Sequence, residues 1–288
     1  MTTTDVRVLD AVSAAAVTRL LECGFTGSQP STAAVLANQY LLAALDRGEH
    51  DRFTLWPGDD PVAVLYAGSS GTLVPAGAPE AGPAFVEPAE RSGWRVLVGD
   101  APISLALLDA YPRGLFRRRP TAREQRFMVL EAGAVPPEAL AEPPPPGFRR
   151  AERRDLERLT ELAARLHVED LMGPPIARAG RVAVRERMLD SVLRGDTWVV
   201  ERDGEVVAKV DLSLRSRRRG AQIAGVYVDD RWRGQGIAGA AVAAVARGLI
   251  AEGLPGVTLH VRADNAPAIA AYRRAGFEDR GAWTLALR

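Results

Sequence analysis

Two runs decide the fold: residues 222–242, QIAGVYVDDRWRGQGIAGAAV, and residues 259–277, LHVRADNAPAIAAYRRAGF. The first reads as a strand, a glycine-bearing turn and a helix; the second reads as a strand and another helix. Ile223, Val226 and Val228 suit a buried strand ending at Asp229. Arg233, Gly234, Gln235, Gly236, Ile237, Ala238 and Gly239 then turn into an Ala/Val-rich helix over 237–252. Unbonded N–H groups and the positive end of the dipole at such a helix start suit a diphosphate. Gly234 and Gly236 let ligand oxygens approach where a Cβ would intrude. The spacing matches neither GxxxxGK[ST] nor GxGxxG, the two common nucleotide loops.

Arg233-x-x-Gly236-x-Ala238 resembles the Q/R-x-x-G-x-G/A signature of the GNAT acetyltransferases. Asn265, Ala268, Tyr272, Gly276 and Phe277 resemble that family's N-x-x-A-x-x-x-Y-x-x-x-G-F ending. The resemblance covers about residues 147–288. It implies an acyl-CoA-dependent transferase with acetyl-CoA as co-substrate. Pantetheine would pair against strand 222–228, at Val226, Tyr227 and Val228, with the diphosphate on the turn.

A chain of 288 residues with 47% hydrophobic content suggests two domains, each with a real core. Outside the two runs, Val6–Leu9 reads as a strand, with helices over 11–22 and from Ser31 to Gly48. Strands follow at 53–56, 62–67 and 72–74, then a helix near 80–91, a strand 94–98, a helix 102–111 and a strand 126–130. Residues 131–146, EAGAVPPEALAEPPPP, read as a Pro-rich linker. Beyond it the order repeats: strand 148–150, helices after Asp155 and over 179–194, and a hairpin of 197–201 with 205–214. Asp203-Gly204 is its type I′ turn. A last strand spans 282–287.

The expected architecture is therefore α/β: tandem GNAT-like lobes, each a mixed, mostly antiparallel sheet flanked by helices. The expected boundaries are 1–130 for the first lobe, 131–146 for the linker and 147–288 for the acetyltransferase domain. In the first lobe the matching strand runs into Pro75-Ala76-Gly77-Ala78-Pro79, where prolines remove donors that a diphosphate needs. That lobe reads as degenerate. The chain resembles bacterial two-lobed GNAT proteins and, more distantly, the tandem-lobed mycothiol synthases.

The resemblance assigns Tyr272 as general acid, protonating the departing thiolate, and a backbone N–H near Val228 as the group polarising the thioester carbonyl. Where many members carry a basic Glu on the fourth strand, this chain has Gln222, which orders a water at most. His260 occupies the position where ribosomal-protein N-terminal acetyltransferases carry their base, and is the candidate proton acceptor; a structural strand histidine is the alternative. Asn265 suits both a helix cap and a cofactor contact. Glu169 and Asp170 lie where the family builds its acceptor pocket, and either attract a cationic amine or are simply solvated.

A net charge of +1 gives no electrostatic case for nucleic acid, and Arg215, Arg217, Arg218 and Arg219 read as a solvated loop. The single cysteine, Cys23, excludes an intramolecular disulfide and a Cys-based metal cluster, and the three histidines lie far apart, so no metal is expected. No apolar run of membrane-spanning length is present, and the start lacks a leader pattern, so a cytoplasmic protein is expected. The partner would be a small-molecule amine or a peptide N-terminus; a homodimer is compatible with the sequence. The competing reading is a non-catalytic acyl-CoA-binding regulator.

Overall fold

The computed structural model describes residues 6–111, 120–169, 173 and 175–288. By contacts the chain forms two units: Met1–Phe127 with Arg280–Arg288, and Met128–Asp279. The division thus falls three residues before the expected end of the first lobe, and the last nine residues join the first unit.

The first half runs β1 (Arg7–Val8), α1 (Ala14–Cys23), α2 (Thr32–Ala37), α3 (Gln39–Asp46), β2 (Phe53–Trp56), β3 (Ala63–Ala67) and β4 (Thr72–Gly77). It continues with α4 (Val86–Ser92), β5 (Val96–Asp100), α5 (Ala101–Ala110) and β6 (Thr121–Glu131). Strands β1 to β4 form an antiparallel meander, and β5 lies parallel to β4. Along β3, Val64 and Tyr66 join a core with Leu21, Leu41 and Phe53, while Ala63 and Leu65 join another with Phe85, Trp94 and Leu107. That alternation is the period of two of a strand covered on both faces.

Several expectations for this half change. The helix from Ser31 to Gly48 divides at Asn38, whose Nδ2 donates to Leu21 O at 3.0 Å and to Ala34 O at 3.1 Å. The segment near 80–91 begins as two 3-10 turns, with α-helix only from Val86.

The second half runs α6 (Pro137–Leu140), β7 (Phe148–Arg150), α7 (Leu156–Glu169), α8 (Arg178–Arg194), β8 (Thr197–Arg202) and β9 (Glu205–Ser216). Then come β10 (Gly220–Val228), α9 (Ile237–Ala251), β11 (Gly256–Arg262), α10 (Ala266–Arg274) and β12 (Glu278–Leu287). Strands β7 to β10 are again antiparallel neighbours, and β11 is parallel to β10. Asp203 and Gly204 both have positive φ, 52° and 77°, as a type I′ turn requires. The proline-rich stretch is not a free spacer: Val135 and Leu140 pack on the second unit's core, and Arg247 pairs with Glu142 at 3.1 Å.

The two halves share one topology, and each ends on a strand that serves the other. In the first unit β12 pairs antiparallel with β5, from Trp283↔Asp100 to Leu287↔Val96. In the second, the end of β6, from Met128, is the neighbour of β11, and Met128 and Leu130 enter its core.

Candidate active site

Strands β10 and β11 pair at Ala221↔Val257, Gln222↔Thr258 and Ile223↔Leu259, and then part. On the other edge of β10, Ala224 pairs with Asp211 and Tyr227 with Lys209, so Gly225 and Val226 together oppose the single Val210. This is a β-bulge, which bends the strand just past the end of its pairing with β11. Gly225 takes φ 65° there, a left-handed backbone open chiefly to glycine. Beyond the bulge lies a cavity of about 840 Å³, with Val226, Tyr227 and Val228 on one wall and His260, Val261 and Arg262 on the other. The Asp229 N–H donates to Val207 O at 2.9 Å, on the β9 side. Successive N–H groups of a strand face opposite edges, so the Val228 N–H is turned toward the open edge.

The turn into α9 forms one end of the cavity, through Arg233, Gly234, Gly236, Ile237, Ala238 and Gly239. Gly234 and Gly236 both have φ 76°, and a Cβ on either would meet nothing within 4 Å. The space before them is open, while their backbone disfavours other residues. Inside the helix, Ala240 bonds back to Gly236 O at 3.1 Å. The N–H groups of Ile237, Ala238 and Gly239 come before any helical acceptor and remain for an anion. Gly239 lies close under α10, where a Cβ would stand 3.2 Å from that of Ala271.

Helix α10 carries Tyr272, 6% exposed, into the cavity wall beside the Phe277 ring. Asn265 starts this helix: its Oδ1 accepts the Ala268 N–H at 3.2 Å, and it also lines the cavity. His260 lies on the β11 wall, and burial pushes its pKa down to about 4. The ring is therefore neutral at pH 7 and a weak base.

Glu169, the last residue of α7, also lines the cavity. Its Oε1 accepts the Tyr227 hydroxyl at 2.6 Å, and its Oε2 accepts Arg233 Nη2 at 2.6 Å. Burial pushes the Glu169 carboxyl up, but these two bonds outweigh it, and the group titrates below its ordinary value. Burial and the same bond push Tyr227 up to about 12. Glu169 is thus an internally satisfied carboxylate rather than an open anion awaiting an amine.

Next to the turn, Asp229 is 2% exposed and binds Arg158 at 2.6 Å, Arg231 at 3.3 Å and Arg165 at 3.4 Å. Burial raises its carboxyl, but Arg158 and Arg231 dominate and bring it to about 2. The network ties α7 to the end of β10.

Two of the sequence candidates lie off the cavity. Gln222 precedes the bulge, and its Oε1 accepts the Ser213 hydroxyl at 2.7 Å; Gln235 is not part of the lining. Asp170 lies outside the described residues. Sequence reading missed Leu166, Trp232, Arg262 and Ala271 as lining residues. It also missed the bulge, although an isolated glycine in a strand pattern is its usual trace. Among the described residues, no group of three or more His, Cys, Asp or Glu is arranged to hold a metal, and no helix is long and apolar enough to cross a membrane.

Residues 157–277 match the family model described as the acetyltransferase (GNAT) family. A mycothiol acetyltransferase of Brachybacterium faecium is 44% identical over 63 residues, covering 22% of this chain and 19% of that protein. An L-amino acid N-acetyltransferase of Escherichia coli is 35% identical over 86 residues, 27% of this chain and 51% of that protein. The matches thus span less than two thirds of these curated relatives. A solved GCN5-related N-acetyltransferase from Sphaerobacter thermophilus aligns over 98% of this chain and 94% of its own, with a TM-score of 0.61 and 19% identity, a likeness of fold. The bulged strand, the glycine turn and the Asn265–Tyr272 helix all fall inside residues 157–277, and it is this segment that matches the acetyltransferase (GNAT) family.

Proposed function

We propose that the second unit is an N-acetyltransferase that moves an acetyl group from acetyl-CoA to a primary amine. The observation that carries this is the parting of β10 and β11 directly beside the open turn of Gly234 and Gly236. The opened strand edge suits the amides of a pantetheine arm, and the first N–H groups of α9 suit its diphosphate.

In this reading the neutral amine attacks the thioester carbonyl, whose developing charge is held by the Val228 N–H. The carbon–sulfur bond then breaks, and the Tyr272 hydroxyl gives its proton to the sulfur. The nitrogen loses its extra proton to solvent or to His260, which burial keeps neutral but weak. Gln222 has no part in that step, being tied to Ser213 away from the cavity. The L-amino acid acceptor named for the Escherichia coli relative makes amino acids the first class to screen, with peptide N-termini second.

Calorimetry with acetyl-CoA tests the reading, using Gly236→Glu as control, which sets a carboxylate where the diphosphate would lie. The expected result is binding by the wild type that the variant loses. A wild type that does not bind acetyl-CoA would overturn the proposal. A non-catalytic acyl-CoA sensor would bind but transfer no acetyl group to any amine.

A further inference from the structure

Lys209 is the single lysine of the chain, and it is not on the surface. It lies on β9 with its side chain 1% exposed, paired with Asp211 Oδ2. Its Nζ also donates to Gly225 O at 2.9 Å. Gly225 is the bulge residue with no partner in either neighbouring strand. The bulge removes the half-buried Gly225 carbonyl from the ladder, and the donor it finds instead is an ammonium group. The carboxylate is close as well: a Cβ on Gly225 would lie 2.5 Å from Asp211 Oδ2 and 3.1 Å from Lys209 Nζ.

A buried ion pair is a poor device for stability, because desolvation cancels most of the attraction and apolar residues of similar size do as well. This pair is also imperfectly satisfied, since Asp211 Oδ1 is buried without a hydrogen-bond partner. What it does supply is a fixed position for one carbonyl. Gly225 lies in the cavity wall, three residues before Val228, just past the point where β10 leaves β11.

We propose that Lys209 and Asp211 are positioning residues: the pair holds the β10 bulge from behind and so keeps the acyl end of the cleft open and the Val228 N–H aimed into it. Neither side chain touches substrate. The rate consequence rests on the acetyltransferase reading; the effect on the bulge does not.

The test removes both charges together, as Lys209→Met/Asp211→Leu, so that neither is stranded. Hydrogen exchange followed by mass spectrometry on the unliganded protein reads the bulge. Amides of 224–228 are expected to exchange at least about 10-fold faster, with the rest of the second unit unchanged. In turnover with an accepted amine, kcat is expected to fall about 100-fold with KM for acetyl-CoA within about threefold, the mark of a misaimed acyl group.

Lys209→Met alone is the second variant. It removes the donor to the Gly225 carbonyl without altering the left-handed glycine itself, and it should reproduce the exchange and rate effects even if the double variant does not fold. Wild-type exchange at 224–228 in a folded variant would overturn the proposal, as would an unchanged kcat. A wild type that fails to bind acetyl-CoA would sink the enzyme reading alone, and exchange would still decide the role of the pair.

Discussion

The Tyr227 hydroxyl donates to Glu169 at 2.6 Å, joining the end of α7 to the strand that walls the cavity. The same carboxylate holds Arg233, whose guanidinium lies 5.2 Å from the centre of the Tyr227 ring. Burial and this bond raise Tyr227 to about 12, so the folded state holds that proton more tightly than the unfolded chain does. Its stabilisation is complete below about pH 10 and is lost as pH rises toward 12. In spectrophotometric titration at 295 nm, Tyr227→Phe should remove a late-titrating tyrosine, and Glu169→Gln should bring Tyr227 to lower pH.

Asp229 gives the opposite sign. Its pKa falls from the ordinary 3.8 to about 2, so its stabilisation is present above about pH 4 and is lost as pH falls through 2. Asp229→Asn should flatten the acid limb of thermal stability. It also leaves Arg158 without its most buried partner, and melting at pH 7 should fall by roughly 5 °C in calorimetric scans.

Replacing Tyr272 by Phe keeps the packing against Phe277 and removes the proton donor. If the hydroxyl protonates the thiolate, kcat should fall by about 100-fold or more while the acetyl-CoA dissociation constant stays within a few-fold. Steady-state kinetics beside calorimetry separates the two effects. Equal turnover by the variant would move the acid role to water.

With His260 at about 4, loss of its accepting form cannot produce an acid limb near pH 6.5. If it is the base, kcat/KM should stay flat on its account down to about pH 5 and fall near 4. His260→Gln should then abolish that limb. An acid limb near 6 that survives the substitution would assign the step elsewhere.

Much of the second unit was legible because its signals are local. The alternation of Ile223, Val226 and Val228, the glycines at 234 and 236, and Asn265 ahead of Pro267 each specify their own element. The Asp203-Gly204 turn was read for the same reason. Other features depend on distant parts of the chain. Strand β6 looked like 126–130 but runs from Thr121 to Glu131, and nothing within it shows that its end belongs with β11. Lys209 and Asp211 alternate with the apolar Ala208, Val210 and Leu212 as solvent-facing strand residues do, yet α7 and α9 both pack on β9, which is buried on both faces there. Glu169 read as an open acid because Tyr227 and Arg233 are about sixty positions away. The divided helix at Asn38 reflects a bond to Leu21 on another helix.

Strand β5 finds its neighbour at the far end of the chain, with Val96 against Leu287. During synthesis the first unit therefore leaves the ribosome with one edge unfilled. At about 5–20 residues per second, β12 follows only on the order of ten seconds later or more. Throughout that interval the edge of β5 offers unpaired N–H and C=O groups to any passing strand. The nascent first unit should consequently depend on chaperone shelter in a way that two separately completed lobes would not. Ribosome-bound chains stalled before residue 280 should show this as protease sensitivity around β5 that disappears once the final strand emerges.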